Sequence, residues 1–594
     1  MGNSAKFFRE QHKKAKEAAK APSNTKVLKK EELAKVSDNT KVLKLDNVSE
    51  SPIPKIIHKV WMVFNQNKPG IPEKYKEGDI ILKKLHPDYK FIQWDDKKIF
   101  SFVHDYYPDF YDKFIAYDEP IMRHDVARYL ILKSFGGVFV QDSLVFQKNI
   151  SSLFNKNDKL VFSTKFDNIP NRKGELSNGF MASTPQHPFW DSLISNLQKA
   201  SHAPHLKKNK VMSLTGPYIL TETLEEYQNK NHDKAINILN HKYLFPFYAS
   251  ETSSPPIKEN CIDAKNITQC FTIFPNAYAY CPWVASWTKP ETQKQYLPIS
   301  KDNTLQPFVM YDKLFVMSLV DYQDFPAAQQ RWEKISATLS KLNIPYERFP
   351  AVNGYKTLIT DPNGNTFTGK DIKNKIVIMQ KNIPYKVLCD NKVNPPATIT
   401  LSTSECKLMA GNIGTACTKA LIRKEIIRHK LNYTVILEDD FLPTQDNFKQ
   451  EINKLVASAL GFDLVYLDCL FSKGGTKKMT DNLLLSTFND NARWHGNWAL
   501  LMSYEGAVKI DSGDTYVGCS SDRYAVDMHK GIIKKPGVSS FNSYYANYNF
   551  SALSVDNYSG HNANSISTQM GCRDYHPSNP GDCDSSTKII GLTE

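Results

Sequence analysis

The chain has 594 residues, 41% hydrophobic, 23% charged and 12% aromatic, with 26 Gly and 32 Pro, a globular composition that excludes extended disorder and fibrous repeats. At roughly one to two hundred residues per domain, that length requires more than one domain. The net charge of +13 admits an anionic partner such as nucleic acid, a membrane surface or a nucleotide, and ten cysteines without a C-x-x-C pair exclude a zinc knuckle or a dithiol redox site.

Residues 1–50 form a basic arm with 12 Lys+Arg against 7 Asp+Glu, in which the pentapeptide TKVLK recurs at Thr25 and Thr40. Its Ala, Lys and Glu content predicts a solvated, partly helical segment. The N-terminus lacks an apolar signal region and the chain has no run of about 18 apolar residues, so a soluble, cytoplasmic chain without signal peptide or membrane span is expected. In such a compartment the cysteines should be free thiols; only Cys261/Cys270 and Cys572/Cys583 lie near enough in sequence for local bridges.

At Ser51 the composition changes. PKIIHKVWMVF predicts a buried strand, followed by KFIQW (strand), PIMRHDVARYLILKSF (helix), GGVFVQDSLVF and LVFSTKF (strands). Alternating strands and helices predict an α/β domain over 51–290 with a mainly parallel sheet. A polar, Pro-containing linker over 291–306 follows. The rhythm restarts with KLFVMSLV (strand), RWEKISATLSKLNI (helix) and YERFPAVNG (strand and turn). It continues through CTKALIRKEIIRHK (helix), YTVILEDDF and FDLVYLDCL (strands) and WALLMSYEGAVKI (strand into helix), a second α/β domain over 307–550. Residues 551–594 are polar, rich in Gly, Asn and Ser, and read as irregular.

The sharpest local signal is Val435-Ile-Leu-Glu438-Asp439-Asp440, an apolar strand ending in three acids. Like charges destabilise a strand end unless something offsets them. Strand alternation puts Glu438 and Asp440 on one face, roughly 7 Å apart, and Asp439 on the other. Ligands of open α/β sheets bind at carboxyl ends of strands, and hard oxygens there suit Mg²⁺ or Mn²⁺, which neutralise phosphates. A solvated acidic loop is the plainer alternative.

The succession LFVMSLVD, RFPAVNG, GNIGTACTKALI, VILEDD, FDLVYLD and WALLMSYEGAVKI, over Gln306 to Ala546, resembles glycosyltransferase family 25, which includes lipooligosaccharide and collagen hydroxylysine galactosyltransferases. The resemblance implies a GT-A fold, a UDP-sugar donor, a divalent cation and inversion at the anomeric carbon. By position it assigns Glu438, Asp439 and Asp440 to the metal motif, Gly411 and Gly414 to a G-x-x-G turn at the donor, and Asp522 to a later acid. An inverting transfer needs a base for the acceptor hydroxyl, and Asp522 is the candidate; an acid at a helix start is equally a cap. The chain departs from the family at Ser318 (usually Asn), Asn353 (usually Asp) and Thr418-Lys419 (usually Ser-His). The last change replaces a proton carrier by a permanent cation.

In the first domain Pro54-Lys-Ile-Ile-His58-Lys-Val-Trp61, Arg123-His-Asp125-Val-Ala-Arg128, Gly136-Gly137 and Gln141-Asp142-Ser143 resemble glycosyltransferase family 32. So do SNGFMA, His187-Pro188, Thr215-Gly216-Pro217 and Ser286-Trp287. The resemblance implies donor binding by Trp61, Arg123, Asp125, Arg128, Gly136, Gly137, Asp142, Ser286 and Trp287. Asp125 and Arg128, three apart, share a helix face, and the glycines allow backbone to approach a ligand. Yet the family's Asp-x-Asp falls on Gln141 and Ser143, and its metal-completing His on Cys281. An amide, a hydroxyl and a thiol do not hold a manganese diphosphate as carboxylates do, so this domain is expected to be degenerate or metal-independent unless Asp142 substitutes.

The sequence therefore predicts two GT-A type, Rossmann-like nucleotide-sugar-binding domains in tandem behind a basic arm. The expected activity is transfer of a hexose, galactose or glucose, from a UDP-sugar to a glycan or to a hydroxylated, including collagen-like, protein side chain. Mn²⁺ or Mg²⁺ would serve the second domain. A fusion of this kind without an anchor suggests a viral or bacterial product acting in host cytoplasm or virion. The alternative is a non-catalytic glycan-binding or virion-structural protein that keeps both folds. Nucleic acid is not an expected partner: no aromatic-interleaved basic stripe or recognition helix is present.

Overall fold

The computed structural model describes residues 51–61, 71, 73–166, 175–200, 210–264, 266, 268–282, 305–374, 383–401, 410–443, 446–458, 461–472, 477–478, 485–487, 493–511 and 540–546. The described residues lie in one compact unit built on two large sheets. The first comprises β1 (Ile56–Val60), β2 (Lys90–Trp94), β3 (Gly137–Val140), β4 (Leu160–Thr164), β5 (Leu176–Ser183) and β6 (Ile236–Leu239). The second contains β7 (Lys313–Ser318), β8 (Glu347–Pro350), β9 (Tyr433–Glu438), β10 (Leu464–Ser472), β11 (Arg493–Ser503) and β12 (Ser543–Ala546), and is extended by short strands at Leu485–Thr487 and Lys477–Lys478.

The two sheets repeat one topology. The first runs β2-β1-β3-β5-β4-β6 and the second β8-β7-β9-β11-β10-β12. In each, the first strand pairs in parallel with the second and third, and the fifth is antiparallel to both its neighbours. The registers correspond as well: Val138 of β3 faces Ile57 and Ala182, as Ile436 of β9 faces Phe315 and Leu500. The expected mainly parallel sheets are thus mixed ones, because hydrophobic periodicity reports which face of a strand is buried but not its direction.

Helices are placed alike. α1 (Glu73–Leu85) follows β1, α2 (Asp96–Tyr106) follows β2 and α3 (Pro120–Phe135) leads into β3. In the second lobe α4 (Pro326–Lys341) follows β7, α5 (Ala410–His429) leads into β9 and α6 (Phe448–Ala457) leads out of it. α3 is buried along almost its whole length, polar residues included, so its weak amphipathicity reflects a helix enclosed on all sides.

The lobes share a core. Phe308, 2% exposed, enters an aromatic cage of the first lobe, stacked on Trp94 at 5.5 Å between centroids and packed against Phe102 and Tyr106 at 5.3 and 5.7 Å. Its backbone N–H donates to Asp105 Oδ2 (2.8 Å), which also receives Lys449 Nζ of α6 at 2.7 Å. Asn453 of α6 donates to the Phe308 carbonyl (3.1 Å) and to Tyr106 Oη (3.3 Å).

The expectation of free thiols is overturned for four cysteines. Cys261–Cys270 is bridged, and so is Cys389–Cys417, which ties the strand Tyr385–Cys389 of a small antiparallel sheet to α5. The second pair, 28 residues apart, gave no spacing signal. Cys572 and Cys583 lie outside the described residues. Among the described residues no helix is long and apolar enough to cross a membrane.

Candidate functional site

In both lobes the third strand carries the tripeptide singled out by sequence to its carboxyl end, flanked by the ends of the first strand and of the antiparallel fifth strand. These two strand ends are structurally equivalent and chemically different.

In the second lobe the acidic strand end is charge-compensated from within. Asp439, 5% exposed, accepts from Ser318 Oγ through Oδ2 and from Arg331 Nε through Oδ1, both at 2.8 Å. Ser318 closes β7 and Arg331 lies on α4, so this acid faces the sheet neighbours, on the side opposite Glu438 as alternation requires. Glu438 Oε1 lies 3.0 Å from Lys419 Nζ of α5, the position where the family 25 resemblance expects His. Asp440 is treated differently: its Oδ1 is buried and has no hydrogen-bond partner among the described residues. Burial, followed by the charges of Glu438 and Asp439, pushes its carboxyl up to about 8.

An unpartnered buried carboxylate oxygen next to a second carboxylate fits a hard divalent cation. Among the described residues no group of three or more His, Cys, Asp or Glu side chains could hold a metal. Among the described residues, Glu438 and Asp440 are the carboxylates at this strand end that could contribute to such a site. Gly411 and Gly414 are the second and fifth residues of α5 rather than part of a free turn. A Cβ on Gly414 would meet the Val352 carbonyl at 2.7 Å and Gly354 N at 2.9 Å, so the glycine permits a close crossing of α5 over the segment after β8. Both glycines line a small cavity with Leu319, Phe325 and Tyr355, at the same carboxyl edge as Glu438. Asp522 lies outside the described residues.

In the first lobe Gln141, Ser143 and Cys281 converge. Gln141 Nε2 donates to Cys281 Sγ (3.2 Å), and Ser143 Oγ is 3.6 Å from the same sulfur. Pairing of Val145 with Tyr280 and Phe146 with Ala279 brings Cys281 there. Asp142 points away from this trio to Lys59 Nζ (3.2 Å), which is also 3.0 Å from Asp79 Oδ1. Trp61 follows β1 directly, its ring 5.9 Å from that of Tyr75.

Asp125 and Arg128 pair with each other on α3 at 2.8 Å, each 4% exposed at the side chain. Asn178 Nδ2 (2.9 Å) and Thr215 Oγ1 (3.2 Å) donate to Asp125, while Arg128 Nη1 donates to the Asn178 carbonyl (2.6 Å). Burial outweighs these contacts and raises the Asp125 carboxyl to about 6. Arg123 donates to the carbonyls of Ile115 and Tyr117. These residues form a buried network that joins α3 to β5. Gly136 (φ 64°) caps α3 and Gly137 (φ 85°) begins β3, at the end opposite Gln141; a Cβ there would strike Pro185 or Ile56. Their left-handed backbone serves the helix-to-strand turn. Ser286 and Trp287 lie outside the described residues. The sequence pattern did not reveal Lys59, Asp79, Tyr75 or Arg331, since each reaches its site only through tertiary packing.

Residues 72–171 match the family model for the glycosyltransferase sugar-binding region containing the DXD motif, and residues 312–492 match that for glycosyltransferase family 25 (LPS biosynthesis protein). The chain is similar to mannosyl phosphorylinositol ceramide synthase SUR1 of Saccharomyces cerevisiae (34% identity over 176 residues, 30% of this chain and 43% of that protein). It is similar to inositol phosphoceramide mannosyltransferase 2 of Schizosaccharomyces pombe (32% over 187 residues, 31% and 50%). A further relative is an uncharacterized glycosyltransferase of Acanthamoeba polyphaga mimivirus (27% over 198 residues, 33% and 73%). The chain spans about half the length of the first two. Two α/β lobes of one topology thus carry, in tandem, segments that match the DXD-containing glycosyltransferase sugar-binding region and glycosyltransferase family 25.

Proposed function

We propose that the chain is a glycosyltransferase whose second lobe moves a hexose, galactose or glucose, from a UDP-sugar to a glycan or a hydroxylated protein side chain. The observation that carries this is the carboxylate pair Glu438 and Asp440 at the end of the central strand, with the buried Asp440 Oδ1 unpartnered among the described residues.

In this reading Glu438 and Asp440 would hold Mn²⁺ or Mg²⁺. The ion supplies positive charge to the departing diphosphate. Lys419 fixes the Glu438 carboxylate and adds a permanent cation beside the phosphate position. Arg331 and Ser318 hold Asp439, and with it the turn that orients its two neighbours. Asp522 takes the proton from the acceptor hydroxyl as that oxygen attacks the anomeric carbon. Gly411 and Gly414, at the start of α5, border the donor side of this strand end.

Turnover of a panel of UDP-hexoses with Mn²⁺ tests the proposal. Glu438→Gln and Asp440→Asn should each lower kcat/KM by about 10²–10³, the scale for loss of one group that stabilises transition-state charge. Undiminished turnover in the double variant would overturn it.

A further inference from the structure

We infer that the strand end of the first lobe is a metal-free binding site for a neutral hexose unit of a glycan. Its role in presenting an acceptor rests on the transferase reading of the second lobe; the binding itself does not.

The charge at this strand end argues against a nucleotide. Gln141, Ser143 and Cys281 occupy one spot and present an amide, a hydroxyl and a thiol, so the carboxylate pair that would attract a hard cation is missing. Asp142 does not replace it: it stands alone between Gln141 and Ser143, its buried Oδ1 has no hydrogen-bond partner among the described residues, and it is only ion-paired at 3.2 Å with Lys59, which is shared with Asp79 and the Gln141 carbonyl. Burial raises the Asp142 pKa, and one ammonium is divided between two carboxylates, so Lys59 has no charge to spare for a phosphate. Arg128, the next cation inward, is paired with Asp125. A nucleoside diphosphate would therefore meet, among the described residues, Lys59 and Arg128 already engaged by carboxylates. An uncharged sugar needs no such cation.

The same atoms suit a pyranose. The Gln141 amide and the Ser143 hydroxyl supply donors and acceptors for ring hydroxyls. The Gln141 side chain lies flat across β5 because residue 179 is glycine; a Cβ there would stand 2.4 Å from Gln141 Oε1. Beside it the half-buried rings of Trp61 and Tyr75 pack at 5.9 Å, and Tyr75 is near enough to Asp142 and Cys281 for both to raise its hydroxyl pKa, after burial. Aromatic walls with a few fixed polar groups are the usual make-up of a small-molecule site, and a sugar ring presents apolar C–H faces to such walls.

The test uses the full chain in EDTA, with mannotriose, maltotriose and lactose as probes in calorimetric and saturation-transfer titrations up to about 10 mM. At least one should bind, equally well in EDTA and in Mn²⁺. Gln141→Ala and Trp61→Ala should each weaken it at least tenfold while far-UV circular dichroism is unchanged. A Glu438→Gln/Asp440→Asn variant, with the second lobe disarmed, should bind the same saccharide and show no Mn²⁺-dependent binding of UDP or GDP. Failure of all three saccharides to bind the wild-type chain overturns the inference. So does Mn²⁺-dependent nucleotide binding in the disarmed variant that disappears with Asp142→Asn. Hexosyl transfer is scored separately, so a silent second lobe and an empty first lobe give different results.

Discussion

Lys419 Nζ stands 3.0 Å from Glu438 Oε1 and is 6% exposed at the side chain, so a permanent cation occupies the acidic strand end before any metal arrives. The ammonium and a divalent ion compete for the same carboxylate. Lys419→Met, which keeps the apolar stem and deletes the charge, should tighten Mn²⁺ binding in the absence of donor by about tenfold, roughly 1.4 kcal/mol. Calorimetric titration of both proteins with Mn²⁺ measures this, and equal affinities would mean that the ammonium does not compete.

Phe308 and its aromatic cage are part of the contact between the two lobes. Removing the ring leaves a void among Trp94, Phe102 and Tyr106. Phe308→Ala should cost about 3–5 kcal/mol, as for other buried Phe truncations. Urea unfolding followed by tryptophan fluorescence should show an earlier transition. Asp105→Asn should add to the effect by stranding Lys449, which is only 7% exposed.

Two histidines make the first lobe acid-sensitive. His58 is locked neutral between the Trp94 indole, which donates to Nδ1 at 3.1 Å, and the Gly136 carbonyl, which accepts from Nε2 at 2.9 Å. Burial lowers its pKa to about 4. His124, against the Val60 carbonyl and the Arg128 guanidinium, is lowered to about 3, by burial first and then by Arg128. Because the folded values lie below the unfolded value of about 6.5, the unfolded chain takes up the proton first. Their contribution is complete above pH 6.5 and is lost as pH falls toward 4, by about 1.4 kcal/mol per pH unit for each histidine. Tm measured from pH 8 to 4 should fall through this window, and His58→Gln should flatten the slope.

If positions 141, 143 and 281 are the vacated ligand positions of a metal site, restoring their chemistry should restore metal binding. Gln141→Asp/Ser143→Asp/Cys281→His should acquire Mn²⁺ affinity in the micromolar range, about −8 kcal/mol. Equilibrium dialysis in the Glu438→Gln/Asp440→Asn background checks it. Persistent lack of binding would show that the trio, although within 3.6 Å, cannot be opened into a coordination sphere.

Much of this was legible in the sequence because it is local. The strands ending at Val140 and Glu438, the helices before them and the alternation separating Asp439 from Glu438 and Asp440 follow from period and order alone. The convergence of Cys281 with Gln141 and Ser143 was foreseen only through the family 32 pattern, since 138 residues separate Cys281 from Ser143. Strand direction, the Cys389–Cys417 bridge and the Lys59–Asp142 and Arg331–Asp439 pairs were not legible, because they join segments whose local signals are independent. For Asp125 and Arg128 the helix pattern shows a shared face but not the hydrogen bonds from Asn178 to Asp125 and from Arg128 to the Asn178 carbonyl.

The most direct measurement is mass spectrometry of products from the full chain with Mn²⁺ and UDP-glucose, UDP-galactose or GDP-mannose, offered simple glycans and a hydroxylysine peptide. We expect one UDP-hexose to be transferred or hydrolysed, with the product abolished in Glu438→Gln/Asp440→Asn and retained in Asp142→Asn. Turnover that survives the first pair and vanishes with Asp142→Asn would place the chemistry in the first lobe and contradict the assignment of the second.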